Sequence, residues 1–114
     1  MIMKVIHKYP SAKKGSAYSI PVGVTEIGRN VFSGDLFLET VVIPDTVTSI
    51  KGSAFYSTNG IKSITIPKSV EHIEGYAFHN VGKETTIYIE GRTAAPEEWK
   101  YWDKDCEAKI VWNP

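Results

Sequence analysis

Cysteine is nearly missing from this chain. Cys106 stands alone, so no internal disulfide can form, and neither a second thiol nor a spaced pair of histidines joins it as a zinc ligand. Its expected role is that of a small, half-buried apolar residue. No uninterrupted apolar run reaches the roughly 18 residues a membrane-spanning helix needs, so membrane insertion is not expected. An excess of charge is missing too: thirteen Lys and Arg balance thirteen Asp and Glu, and local runs such as Lys13-Lys14 and Glu97-Glu98 are short. No net field draws the chain to nucleic acid or to an anionic membrane, and neither is expected as a partner. The opening MIMKVIHKYP lacks a long apolar segment followed by small residues, so no signal peptide is expected in this chain. Also missing are a Gly-x-Ser-x-Gly elbow, a Gly-rich loop leading to Lys-Ser/Thr, and any Ser-His-Asp spacing. Catalysis by a familiar motif is not expected, and no cofactor is implied.

What is present is apolar substance and a period. With 42% apolar residues, 114 residues suffice for one compact domain. Three units start on Ile-Pro at intervals of 23 residues: IPVGVTEIGRNVF (20–32), IPDTVTSIKGSAF (43–55) and IPKSVEHIEGYAF (66–78). Five columns are identical in all three: Ile20, Ile43, Ile66; Pro21, Pro44, Pro67; Val24, Val47, Val70; Ile27, Ile50, Ile73; and Phe32, Phe55, Phe78. Proline occupies about 5% of positions, so its column alone would recur by chance roughly once in 400 trials.

Each unit converts into structure. Residues 39–43, 62–66 and 85–89 alternate: Val41 and Ile43, Ile64 and Ile66, Ile87 and Ile89 point one way, while Thr40 and Val42, Ser63 and Thr65, Thr86 and Tyr88 point the other. This is a short strand with one buried face. Proline removes a donor and fixes φ, so it belongs at the strand's end, where the chain turns a corner. Val-x-x-Ile is then a second extended or turn segment, followed by a bend containing Gly28, Gly52 or Gly75 and a small-Phe pair. A unit this short cannot cover its own apolar side, so the fold class is a repeat solenoid. It has short parallel β-strands, a 23-residue period, about three full repeats and a cap at each end.

The expected organisation within this one domain is 1–19 as a degenerate first repeat and cap, 20–90 as three repeats, and 91–114 as a Trp-rich C-terminal cap. A strand is expected over 4–9, followed by a shortened polar turn from Tyr9-Pro10 through SAKKGSAY. Glu84 takes the column of Leu38 and Ile61 where the array stops. In the tail, a short helix over 96–102 and a strand over 109–112 are expected to lay Trp99, Trp102 and Trp112 across the last turn.

The spaced columns I-P-x-x-V-x-x-I-x-x-x-A-F-x5-L-x-x-I-x-I-P resemble the BspA-like leucine-rich repeat family, a bacterial surface-protein type. The likeness extends to the Tyr-Pro-small-x-Lys-Lys lead-in and to the Pro-x-x-Trp-x-x-Trp tail. It implies a non-catalytic binding or adhesion module that recognises a protein or glycan, at the cell surface or secreted; with no signal peptide in the chain, a cytoplasmic address stays open. One departure is visible: the family's half-buried Cys, three after the Phe, is here Asp35, Thr58 and Val81.

Candidate ligand-binding residues are the outward strand positions, Thr40, Ser63 and Thr86 in one column and Val42, Thr65 and Tyr88, with Ser19, in the other. β-Branched and hydroxyl residues are also what any exposed strand favours. A solenoid enzyme acting on polysaccharides would need a charged column here and there is none; an ice binder's Thr ladder is interrupted by Val42 and Tyr88. Weak self-association through a solenoid edge, as the end-segment of a longer array, is the structural alternative. His7, His72 and His79 read as solvated surface residues, and Asp103-Lys-Asp-Cys-Glu107 lacks the Gly and the distant Glu of a calcium loop. No metal site is expected.

Overall fold

Proline sets the path of the chain. In the computed structural model, which describes residues 4–6 and 16–114, the carbonyls of Pro21, Pro44 and Pro67 accept hydrogen bonds from the N–H groups of Val24, Val47 and Val70 at 3.2, 3.2 and 3.1 Å. Each Ile-Pro corner is thus a tight turn closed three residues later, and the chain leaves it in a new direction. Among the described residues nine strands result, each parallel to its neighbours. The small sheet is β1 (Lys4–Ile6), β3 (Val24–Ile27), β5 (Ser49–Ile50) and β7 (His72–Ile73), in that order. The large sheet runs β2 (Ser16–Ser19), β4 (Leu38–Val42), β6 (Ser63–Ile66), β8 (Thr86–Ile89) and β9 (Lys109–Trp112). The Val-x-x-Ile segment is therefore extended, and it builds a sheet of its own. Of the expected strand over 4–9, residues 4–6 form β1; His7, the turn at Tyr9-Pro10 and Lys13-Lys14 lie outside the described residues, and β2 begins at Ser16.

The register shows the solenoid directly. Thr40 pairs with Ser63, Ser63 with Thr86 and Thr86 with Lys109, each step being 23 residues. About four turns stack in this way. Between the sheets the repeated Ile and Val columns are buried, and the three Phe rings stack at 5.1 Å, Phe32 on Phe55 and Phe55 on Phe78. That spacing is close to the roughly 4.8 Å between neighbouring strands. A ring repeated once per turn is translated by one strand spacing, and so meets its copy in stacking contact.

A polar column that the repeat pattern had left silent ties the corners together. Thr46 Oγ1 donates to the Val24 carbonyl at 2.8 Å, Ser69 Oγ to Val47 at 2.8 Å and Arg92 Nη2 to Val70 at 3.2 Å. These positions again fall 23 apart, and each satisfies a carbonyl of the preceding turn that the corner would otherwise orphan. Arg92 also lies over the Trp99 ring at 5.1 Å, which fastens the tail to the third corner. Glu84 is exposed as its charge requires, and Thr85 is buried beside its place, its hydroxyl donating to the Ile61 carbonyl.

Each bend contains its glycine, at shifted places: Gly28, Lys51 and Glu74 are equivalent, since their N–H groups bond to Ile6, Ile27 and Ile50 of the turn before. The left-handed residue of the bend is Asn30, Ser53 or Tyr76, at φ 61°, 57° and 63°. One expectation needs correction: there is no helix over 96–102. The segment is a series of turns, with Trp99 N–H closing on the Pro96 carbonyl at 3.0 Å and Tyr101 at φ 59°, which stops helical propagation. Trp102 stands edge-on to Phe78 at 5.9 Å, and β9 continues the large sheet in register.

Because the Phe stack is fully buried, Phe55→Ala is expected to cost about 3–5 kcal/mol, and Phe55→Leu clearly less, in urea denaturation. Gly60→Ala is expected to destabilise strongly as well, since a Cβ there would be driven into the Leu36 carbonyl of the turn before. Unchanged unfolding midpoints would mean that the turns do not pack as described.

Candidate functional site

The alternation of the large-sheet strands places the candidate residues as two outward columns. Ala17, Thr40, Ser63, Thr86 and Lys109 are paired in one, and Ser19 pairs with Val42, Thr65 with Tyr88 and Tyr88 with Val111 in the other. All six candidates therefore share one face. Thr40, Val42, Ser63 and Thr65 are exposed, Val42 to 52%, whereas Thr86 and Tyr88 are half-buried. A shallow groove of about 360 Å³ runs over Thr40, Val42, Ser63 and Thr65, with Asp45 and Glu90 at its margin. Lys109 and Val111 extend the face, and reading the tail as a terminal cap concealed them.

The small sheet presents a different surface. Glu26, Ser49 and His72 form one outward column. Lys51 Nζ lies 3.6 Å from Glu26 Oε1 and 3.4 Å from Glu74 Oε2, and Arg29 Nη2 donates to Glu74 Oε1 at 3.0 Å. Glu74 Oε1 also accepts from the Gly52 N–H at 2.9 Å. Partial burial of the Glu74 carboxyl acts to raise its pKa, but the Gly52 hydrogen bond and the Arg29 and Lys51 cations outweigh it and hold the group below its ordinary value. His72 Nδ1 is 3.2 Å from Glu98 Oε1. The charges on the small sheet are thus largely spent on one another, and at the large sheet Lys62 Nζ pairs with Glu39 Oε1 at 3.0 Å. The large-sheet face has no ladder of acids or bases, and among the described residues no group of three His, Cys, Asp or Glu could hold a metal ion.

The third surface lies along the bends and was missed in the sequence. Tyr56 stacks on His79 at 5.1 Å, His79 meets Tyr76 edge-on at 5.3 Å, and Tyr76 is parallel to Tyr101 at 6.4 Å. Tyr56, Tyr76 and Tyr101 are 37%, 46% and 65% exposed. His79 is not the solvated residue expected: its side chain is only 18% exposed, and Nδ1 lies 2.8 Å from the Lys104 carbonyl. Tyr101 escaped notice because the last turn is offset. It stands to Tyr76, and Cys106 to Val81, at 25 residues rather than 23, as the matching bonds Lys104 N–H to Tyr101 O and His79 N–H to Tyr76 O show. Cys106 thereby occupies the column of Asp35, Thr58 and Val81, and burial pushes its thiol pKa up, as for a packing residue. Holding Tyr76 and Tyr101 at positive φ, where the other turns use Asn30 and Ser53, costs of order 1–3 kcal/mol each.

Comparison with known proteins agrees with this architecture. The family model described as the BspA type leucine rich repeat region matches residues 13–101 in six copies. A crystal structure of a leucine-rich repeat protein from Eubacterium ventriosum ATCC 27560 is similar, with a TM-score of 0.66 at 18% identity, over 96% of this chain and 36% of that one. The present chain thus spans about a third of that protein's length, and the likeness is one of fold. No curated protein matches the sequence.

The ion network carries a pH signature. A carboxyl whose folded pKa lies below its unfolded one stabilises the fold above the unfolded pKa and loses that contribution as pH falls through the folded pKa. Glu74→Gln is therefore expected to narrow the stability difference between about pH 6 and pH 3 in thermal melts. An acid dependence identical to that of the wild type would show that Glu74 is not held in this way.

Proposed function

The chain belongs to the BspA-type leucine-rich repeat family, and we propose that it is a non-catalytic binding and adhesion module of a bacterial surface or secreted protein. It recognises a protein or glycan through the outward columns of the large sheet. One observation carries this reading: five strands in register present an outward face of hydroxyl, apolar and aromatic groups, with Lys109 the one charged residue among its paired outward positions. A strand face held from beneath by the buried Ile columns is rigid before the ligand arrives, so little ordering entropy is lost on binding. Tyr88, half-buried beside Thr65, has the amphipathic chemistry typical of an interface anchor.

A second reading rests on the ends of the large sheet. Among the described residues β2 and β9 each pair on one side alone, and Ile110, Val111 and Trp112 of β9 are only half-buried, so weak self-association through an edge follows naturally.

Thr65→Asp together with Tyr88→Asp is expected to abolish binding to whichever ligand a protein or glycan array identifies, with the circular dichroism spectrum unchanged. Undiminished affinity would remove the sheet face as the site. For the second reading, light scattering is expected to show an apparent mass that rises with protein concentration, and a strictly monomeric protein at millimolar concentration would dismiss it.

A further inference from the structure

The bend that follows each small-sheet strand has a left-handed residue at its apex. Asn30 and Ser53, small polar side chains, meet that demand in two turns. In the next two the same place is held by Tyr76 and Tyr101, at φ 63° and 59°, although a bulky side chain is among the least suited to it. Burial does not account for the choice, because these rings are about half and two-thirds exposed. Backbone strain that packing does not reward marks a position kept for function.

The rings are also organised. Tyr56, His79, Tyr76 and Tyr101 form one continuous series across three turns, with centroid separations of 5.1, 5.3 and 6.4 Å. His79 is fixed within it. A carbonyl can only accept, so Nδ1 donates to Lys104 O, and Asp105 Oδ2 lies 3.8 Å from the same nitrogen. Tyr56, Tyr76 and Tyr101 add phenolic hydroxyls that both donate and accept. The adjoining segment 96–107 is acidic, with Glu97, Glu98, Asp103, Asp105 and Glu107 against Lys100 and Lys104. A nucleic-acid strand, which also stacks on aromatic rings, would require a cationic track beside them. What suits partly exposed aromatic rings bordered by hydroxyl and imidazole groups, with no cationic track, is a neutral sugar ring: its C–H face stacks on an exposed aromatic face, Tyr101 offering the most, and its hydroxyl rim hydrogen-bonds at the edges.

We propose that Tyr56, Tyr76, His79 and Tyr101 form a second recognition surface, on the bends of the coil, that binds a neutral oligosaccharide by stacking. It is separate from the large-sheet face and stands or falls independently of it.

The test combines binding with stability. Wild-type protein is screened against neutral cello-, malto-, xylo- and manno-oligosaccharides and N-acetylglucosamine oligomers, and the best binder is titrated by calorimetry. The Tyr76→Asn, Tyr101→Asn double variant, which gives both bends a residue the chain already uses there, is expected to lose at least tenfold in affinity while melting at or above the wild-type temperature. Tyr101→Ala, at the most exposed ring, is expected to weaken binding by itself and keeps the test decisive where the double variant fails to fold. Four results would overturn the proposal: no neutral saccharide bound, undiminished binding by the variants, an earlier melt in a folded double variant, or tighter binding of oligothymidine than of any sugar. Saccharide binding lost in the Thr65→Asp, Tyr88→Asp protein but kept in the ridge variants would place the sugar on the sheet and also overturn it.

Discussion

Every turn of this molecule depends on its neighbours to cover what it cannot cover itself. A 23-residue unit has too few side chains to shield Ile, Val and Phe on its inner side. The solution is translation: each buried side chain is placed one strand spacing above its own copy, so that Phe55 lies between Phe32 and Phe78 at 5.1 Å from each. Once the apolar columns are stacked, the backbone must hydrogen-bond between turns rather than within them. Parallel sheets follow, with N–H groups of one turn answered by carbonyls of the next.

This dependence explains which parts of the fold were legible in the sequence. Columns that stack must repeat in kind, so Ile43, Pro44, Val47, Ile50 and Phe55 announced themselves against their copies, and the outward positions of the large sheet followed by alternation. What the chain achieves by different residues in successive turns was not legible. The corner carbonyls are met by Thr46, then Ser69, then Arg92, three side chains with no common name but one common donor role. The left-handed apex is taken by Asn, Ser or Tyr, so no single residue type marks it in the sequence. In the tail the expected strand over 109–112 formed, but the expected helix over 96–102 gave way to turns, with Tyr101 at φ 59°. The positions of the candidate binding residues were readable; their chemical role is not a matter of periodicity, since nothing on an exposed face has to match its copy.

The three outer surfaces differ because they answer to different constraints. On the small sheet, opposite charges one or two turns apart lie within 3.0–3.6 Å and steady the bends. The large sheet has fewer such pairs, Lys62 with Glu39 among them. On the bends, where neither sheet fixes the side chain, rings are carried at an energetic loss.

The two-residue excess in the final bend is made good before β9, so that Thr86 still meets Lys109 across the sheet. Bend length is therefore uncoupled from strand register. The sheets act as a fixed frame, while each bend behaves as slack that can be lengthened or shortened without disturbing the frame. In such an arrangement novelty is cheap in one place only: insertions, deletions and new side chains can accumulate along one flank of the coil while the rest is held nearly constant.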